Sequence, residues 1–357
     1  LRICDPAMGS GAFLVGACRF LGERLVESWQ RTRTTPAIPP DEDVQLYARR
    51  LVAQRCLFGV DRNPFAVQLA KLSLWLVTLA REHPFTFLDH ALRCGDSLVG
   101  LTRDQITAFH WDAGKAFDPR RGKSIWAPQI EAWIVEAEKQ RQQIETLAGT
   151  DDTREKLRLL READDDLSVV RRIGDAVVAA FFGSDKDKKR EELRKYHQQS
   201  VAAALGAPGL RGRLDELADQ LREREPPITP FHWEVEFPEV FGREKPGFDA
   251  MVGNPPFAGK NTLINANPDH YLDWLQTIHE GAHGNSDLVA HFFRRAFGLL
   301  REGGAFGLIA TNTIAQGDTR TTGLRWLRQH GCTIYEARRR YKWPGAAAVV
   351  VSVVHGM

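Results

Sequence analysis

The stretch Gly253-Asn254-Pro255-Pro256-Phe257 sets an amide side chain, a proline-flanked carbonyl and an aromatic face side by side. Two successive prolines fix φ and remove two backbone donors. The residue ahead of each is pushed out of the helical region, so the turn is stiff and extended. It is entered from Phe248-Asp249-Ala250-Met251-Val252, an apolar run that reads as a buried strand. Stiff loops at the carboxyl ends of parallel strands are where α/β sheets place their chemistry. These groups suit a flat ring bearing an amine: two acceptors for the two amine hydrogens, and one face to stack on. The plainer reading is an Asn-Pro turn, so the residues upstream decide.

Upstream, a strand ending at Cys4 leads into Asp5-Pro6-Ala7-Met8-Gly9-Ser10-Gly11-Ala12-Phe13-Leu14-Val15 and then a helix to about Trp29. Gly9 and Gly11 let backbone approach a ligand closely, and the helix start offers free N–H groups. A dinucleotide fingerprint needs a third glycine where Leu14 stands. An acidic strand tip followed by proline suits a cationic amine better than a pyrophosphate. Cys56–Val60 reads as a second strand ending at Asp61, with Pro64 opening a helix from Phe65 to Ala80. Asp61 is placed to accept from ribose hydroxyls; the alternative is a carboxylate favoured by the helix N-terminus. His90–Cys94 reads as a third strand with Gly95-Asp96-Ser97-Leu98 at its tip. There Asp96 can accept from an exocyclic amine and Leu98 can cover a purine face.

Taken together, Asp5–Val15, Asp61, Asp96 and Asn254–Phe257 resemble the successive motifs of S-adenosylmethionine-dependent DNA adenine-N6 methyltransferases of the gamma order. Within that group the chain is similar to the large fused type IIG and IIL restriction-modification enzymes and to the methyltransferases of phage-defence systems such as BREX and DISARM. The resemblance covers about residues 1–100 and 231–357. It implies a Rossmann-like α/β class I methyltransferase fold, mostly parallel with an antiparallel closing strand. It implies S-adenosylmethionine as cofactor, double-stranded DNA as partner, other defence-system subunits as further candidate partners, and a cytoplasmic setting. Asp5 and the backbone of Gly9 and Gly11 would lie near the methionine part, Asp61 on the ribose and Asp96 with Leu98 at the adenine, with Ala7, Phe13, Arg62 and Ser97 as further cofactor-binding residues. Asn254, Pro255, Pro256 and Phe257 would act on the target base. Lys260 is a candidate phosphate ligand, although an ordinary surface lysine is the simpler reading. Tyr341 and Trp343 both qualify for the aromatic that holds a flipped base. The resemblance further implies a segment ahead of the first strand and a separate domain that reads DNA sequence. The chain opens at a strand without Met, and so reads as an excerpt.

Three units are expected: a cofactor half over 1–125, a helical insertion over 126–230 and a catalytic half over 231–357. In the insertion, Ile130, Trp133, Ile134, Ala137, Ile144 and Leu147 lie on one stripe, Val169, Val170, Ile173, Val177 and Val178 on a second, and Leu210, Leu214, Leu217 and Leu221 on a third. It is expected to pack on itself and project from the sheet. Asp164-Asp165-Asp166 and Lys186–Arg190 read as solvated surfaces and turns. Phe231–Phe237 alternates as a strand does, and Asn261–Asn267 reads as polar and flexible. Asp41 is a plausible helix N-cap. Asp287 opens a helix that Gly303-Gly304 ends, and Ala305–Ala310 is a fifth strand whose tip, Thr311-Asn312-Thr313, borders the cleft. A helix Thr322–Gln329 precedes closing strands over Cys332–Arg338 and Ala347–His355.

The formal charge of +2 over 357 residues announces no broad basic field, so any nucleic-acid reading must rest on local sites. The five cysteines show no Cys/His metal spacing and read as reduced core thiols. None follows a proline, which sets aside cytosine-C5 chemistry with its nucleophilic Pro-Cys. Cytosine-N4 enzymes usually carry Ser or Asp where Asn254 stands. Protein-glutamine methyltransferases also use Asn-Pro-Pro-aromatic and form the main alternative. A non-catalytic DNA-binding scaffold subunit is the third.

Overall fold

The short strand β1 (Ile3–Asp5) lies inside a seven-stranded sheet, flanked by β2 (Leu57–Asp61) and β4 (Phe248–Gly253). With β3 (Leu92–Cys94), β5 (Leu300–Thr311), β6 (Ile334–Lys342) and β7 (Val350–Gly356) the order is β3-β2-β1-β4-β5-β7-β6. The structure, a computed structural model, describes residues 1–38, 42–78, 88–116, 124–147, 153–205, 210–343 and 350–357. Asp41, Ala80 and Ala347, named above, lie outside them.

All ladders are parallel except those of β7, which runs antiparallel to both β5 and β6. This is the expected mostly parallel sheet with an antiparallel closing strand. β1 is buried along its whole length, as parallel strands covered on both faces are. The strand order reverses at β1, so the crevice outside the carboxyl ends of β1 and β4 is the topological switch point, where open α/β sheets bind ligands. Register carries the acidic tips there: Asp5 pairs with Gly59, and Asp61 with Cys94.

Three helices follow the first strands: α1 (Ala12–Thr32), α2 (Val44–Arg55) and α3 (Pro64–Thr78). α1 buries Leu14, Cys18, Gly22 and Val26 at helical spacing. Gly11 precedes it at φ +82, and a Cβ there would press on Ala70 of α3. Its glycine is therefore required by the left-handed turn and by helix packing. The cap of α2 is Asp43, whose carboxylate accepts from Gln45 N and Leu46 N.

Four long helices make up the insertion: Ala127–Thr146, Thr153–Phe182, Asp187–Leu205 and Leu210–Arg222. Ile130, Ile134, Ala137 and Ile144 of the first stripe are buried, with Trp133 and Leu147 half-buried; the second stripe is buried throughout, as are Leu214, Leu217 and Leu221. The helices do not stand off from the sheet. Ile130, Val170 and Phe181 share one core with Leu98, Leu101, Leu263, Trp274 and Phe292.

Charge binds the same seam. Asp164 accepts from Arg93 Nη2 at 2.7 Å, Arg171 Nη2 at 3.0 Å and Arg141 Nη2 at 3.2 Å. Glu236 accepts from Arg171 Nε at 2.6 Å and Arg93 Nη2 at 3.0 Å. The two charge runs are solvated only in part: Asp165 and residues 186–189 are exposed as expected, but Asp164 and Arg190 are held in ion pairs. Asp164–Asp166 sits inside a helix. Arg190 is buried, paired with Asp273 at 2.9 Å and stacked 4.0 Å over Phe181. Removing one member of such a cluster strands a buried charge.

Further segments differ from the sequence reading. Phe231–Phe237 is not a strand but leads into two helical turns, Trp233–Glu236 and Pro238–Phe241. Phe231, His232, Trp233, Val235 and Phe237 are all buried. Enclosure on every side removes the one-face pattern that a half-buried strand needs. Asn261–Asn267 is largely helical, within Lys260–Ala266, and held by fully buried Leu263. Gly303-Gly304 lies within β5, because the helix Leu288–Leu299 already stops at Leu299. The helix after β5 starts earlier, at Gly317, and passes through a π turn at Thr321–Arg325. Cys94 is exposed, unlike the buried thiols Cys4, Cys18 and Cys332.

Candidate active site

A cleft of about 410 Å³ opens outside the carboxyl ends of β1, β2 and β4. Pro6 and Ala7 follow β1 into its wall, Asp61, Arg62 and Asn63 come from the end of β2, and Gly95, Asp96 and Ser97 follow β3. Asn254 and Pro256 come from the turn after β4. Four chain segments far apart in sequence meet in one concave site.

The β1 turn is built around its own carboxylates. Asp5 is 1% exposed and accepts from Ala7 N at 3.0 Å. A Cβ at Gly253 would lie 2.5 Å from Asp5 Oδ1, so only glycine lets β4 pass this close. Burial is the main reason the Asp5 carboxyl is pushed up to about 7; the Ala7 N–H opposes the shift and Asp61 adds to it. Asp61 accepts from Gly9 N at 2.9 Å and Asn63 N at 2.8 Å. It therefore ties the glycine turn to the end of β2 and keeps lone pairs facing the cleft.

At the β3 end, Asp96 is buried and accepts from Leu98 N at 2.9 Å. The Tyr271 hydroxyl donates across both of its oxygens, at 3.1 and 3.0 Å. Burial raises the Asp96 carboxyl, while the Leu98 N–H, Arg62 and Tyr271 pull it down. Ser97 Oγ donates to the Pro6 carbonyl at 2.5 Å, joining the β3 and β1 turns.

The chain downstream of Phe257 closes the cleft's other side. Ala258 N donates to Asp287 Oδ1 at 3.1 Å and Leu288 N to the Ala258 carbonyl at 2.9 Å. The stiff turn is thereby pinned to the start of the helix Leu288–Leu299. Arg62 Nη1 donates to Asn267 Oδ1 at 2.6 Å across the cleft. Ala266, Asn267, Tyr271, Leu288 and Phe292 complete the lining.

Of the residues singled out in the sequence, Ala7, Asp61, Arg62, Asp96, Ser97, Asn254 and Pro256 line this one cleft. Asn254 is exposed and Pro255 buried; Phe257 is half-buried, one side against the sheet core. Leu98 is placed differently: its side chain is fully buried in the core shared with the insertion. Gly9 and Gly11 form the backbone turn before α1, and Phe13 lies half-buried on α1 and is not among the lining residues. Lys260 is exposed at the first position of its helix. Tyr341 is level with Val351 and, through it, with Thr311 at the end of β5. It is exposed and Trp343 half-buried; neither lines the cleft. Sequence reasoning missed Tyr271 and Asn267. Their only signal was a polar residue amid apolar ones downstream of the proline turn.

A mostly parallel sheet with a switch-point cleft and acidic strand tips is a Rossmann-like α/β fold. A family profile described as Eco57I restriction-modification methylase matches residues 55–335, and the chain belongs to that family. A curated protein of Methanocaldococcus jannaschii, named as a putative type II restriction enzyme and methyltransferase, is 24% identical over 337 residues, covering 89% of this chain and 26% of its own. The type IIL restriction-modification enzyme MmeI, solved in complex with DNA, aligns over all of this chain and 31% of its own, at 15% identity and a TM-score of 0.44. The chain thus spans about a quarter to a third of the length of these two proteins.

Proposed function

We propose that this protein transfers a methyl group from S-adenosylmethionine to the exocyclic N6 of an adenine flipped out of duplex DNA, as the modification arm of a restriction-modification or phage-defence system. One observation carries the reading. Asn254, exposed at the tip of β4, shares a single cleft with the acidic tips of β2 and β3. An amine-binding turn and a nucleoside-binding wall face the same space.

The cleft residues fit the cofactor. Asp61 offers two carboxylate oxygens to vicinal hydroxyls, Asp96 is a buried acceptor held by Tyr271, and Asp5 is a buried carboxyl that a nearby cation would ionise. When bound, S-adenosylmethionine supplies an electrophilic methyl on a sulfonium. The protein must do the rest. Phe257 offers a face on which the extruded base stacks, offsetting part of the unstacking cost. Asn254 Oδ1 and the Pro255 carbonyl accept the two amine hydrogens. As that nitrogen becomes tetrahedral, its growing positive charge meets dipoles already oriented by a turn that two prolines hold still. Alignment of amine and methyl in one cleft supplies the remaining rate.

The test is methyl transfer from labelled cofactor to duplex DNA and, separately, to a release-factor-like protein bearing a Gly-Gly-Gln loop, followed by nucleoside mass spectrometry of the DNA. N6-methyladenine is the expected product. Label on the protein glutamine alone, or N4-methylcytosine alone, contradicts the reading.

A further inference from the structure

The chain's charge is nearly balanced, yet the structure collects its excess in one place. Residues 312–343 hold seven arginines and lysines against two carboxylates, a formal +5, so the rest of the chain, with a total of +2, carries −3. Arg320, Arg325 and Arg328 line one groove of about 570 Å³ with Ala315, Leu324, Gln329 and Ile334. All three arginines are exposed. Among the described residues no carboxylate lies within ion-pair distance of them: Asp318 is taken by His283 at 3.1 Å, and Glu336 by Arg338 at 3.4 Å and His355 at 3.7 Å. Ala315 sits just beyond the carboxyl end of β5, on the sheet rim that carries the Asn254 turn, and Ile334 lies at the start of β6, level with Met251, so the groove begins at that rim and runs back along the helix.

Two backbone irregularities fall on this surface. The π turn at Thr321–Arg325 re-phases the helix that carries the three arginines, and π turns concentrate at functional sites. In β6, Arg338 pairs with Val353 and Tyr341 with Val351, so an extra residue bulges out, and Arg340 takes φ +53. Bulges at sheet edges re-aim side chains. Arginines on an edge strand also deter strand pairing, which accounts for Arg338–Arg340. It does not account for three unpaired arginines on a separate helix facing a shared groove.

We infer that the groove of Arg320, Arg325 and Arg328, with the arginine-rich edge of β6 beside it, grips the phosphate backbone of duplex DNA flanking the target base. Guanidiniums suit phosphate oxygens, which they can meet with two parallel N–H bonds. A concave row of them fits a polyanionic ridge better than a flat bilayer. The inference rests on the DNA reading above but not on which base is methylated.

The experiment measures binding of the full chain to a fluorescent mixed-sequence DNA duplex over a salt series. Wild type is compared with Arg320→Ala/Arg325→Ala/Arg328→Ala and with an equal-charge control, Lys186→Ala/Lys188→Ala/Lys189→Ala. Calorimetry with S-adenosylmethionine and thermal melts establish that each variant is folded. The slope of log affinity against log salt should become shallower by roughly 2–3 in the groove variant, at about 0.9 for each phosphate no longer neutralised, and stay at the wild-type value in the control. An unchanged slope in the groove variant, or an equal change in the control, overturns the inference. So does binding of wild type to phosphatidylserine vesicles but not to the duplex. Wild type that binds DNA with the predicted slopes yet makes no N6-methyladenine removes the methylation reading and leaves the groove standing. Wild type that methylates adenine while the groove variant keeps the full slope does the reverse.

Discussion

Asp5 sits where a carboxylate is hardest to keep charged. It is 1% exposed, one N–H from Ala7 holds it, and its carboxyl is pushed up to about 7 mainly by burial. A carboxyl raised on folding keeps a proton that the unfolded chain gives up. Its effect on stability is therefore unfavourable above the unfolded value near 3.8 and grows until pH passes about 7. Asp5→Asn retains an acceptor for the Ala7 N–H and removes that penalty. Melts of the two proteins should diverge in favour of Asp5→Asn between about pH 5 and pH 8, by on the order of a couple of kcal/mol. Cofactor binding should move the other way. If the ionised form holds a cationic amine, affinity of the wild type rises over the same interval, while Asp5→Asn binds weakly with a flat profile. Calorimetry across pH checks this; identical pH profiles for the two proteins would return Asp5 to a purely structural role. The Asp-Pro-Ala-x-Gly-Ser-Gly stretch and Asp61 were legible in the sequence because glycine, proline and acidic residues at strand tips have local causes. The partners that shape them are not local. Gly9 N reaching Asp61 spans two strands, and nothing in the spacing announces it.

Elements with one dominant cause were read well, and those with two were not. β1, β2, β4 and β5 are apolar runs ending in turn residues, and the structure has them all. Phe231–Phe237 alternates just as cleanly, yet it forms helical turns, because Glu236 is drawn inward by Arg93 and Arg171 and Glu234 Oε2 accepts from Arg103 N. Alternation signals a strand only when the polar face meets water. The segment from Lys260 to Ile278 was the larger loss. Its first helix, with one buried apolar residue, carried almost no periodic signal, whereas Tyr271, Trp274, Leu275 and Ile278 of its second lie at helical spacing. Folded, it returns across the cleft and sets Tyr271 against Asp96. Tyr271→Phe keeps the ring and removes only the hydroxyl, leaving a buried carboxylate one donor short. Hydrogen bonds to charged groups contribute about 1.5–3 kcal/mol, so cofactor affinity should fall by roughly tenfold or more. Turnover at saturating cofactor should change little, because Tyr271 acts through Asp96. A normal dissociation constant for the variant would detach Tyr271 from the cofactor wall.

At the scale of the whole molecule, the helical insertion was legible as helices but not as a neighbour. Its stripes predict burial without saying against what. The seam with the sheet is written in charge, through Asp164 and Glu236 with Arg93, Arg141 and Arg171. A run of three aspartates looks solvated until a fold delivers three arginines to it. Charge misled in the opposite sense at the other end, where a near-neutral total hid the arginine groove beside β6. What joins these parts is the claim that the turn after β4 acts on an amine brought to the cofactor wall. Its most direct test is the rate of N6-methyladenine formation by Asn254→Ala beside wild type, with calorimetry of S-adenosylmethionine on the same preparations. Loss of one oriented transition-state dipole predicts a fall of roughly a hundredfold or more in rate, with cofactor affinity nearly intact. Near-normal turnover, or a loss wholly explained by weakened cofactor binding, would contradict it.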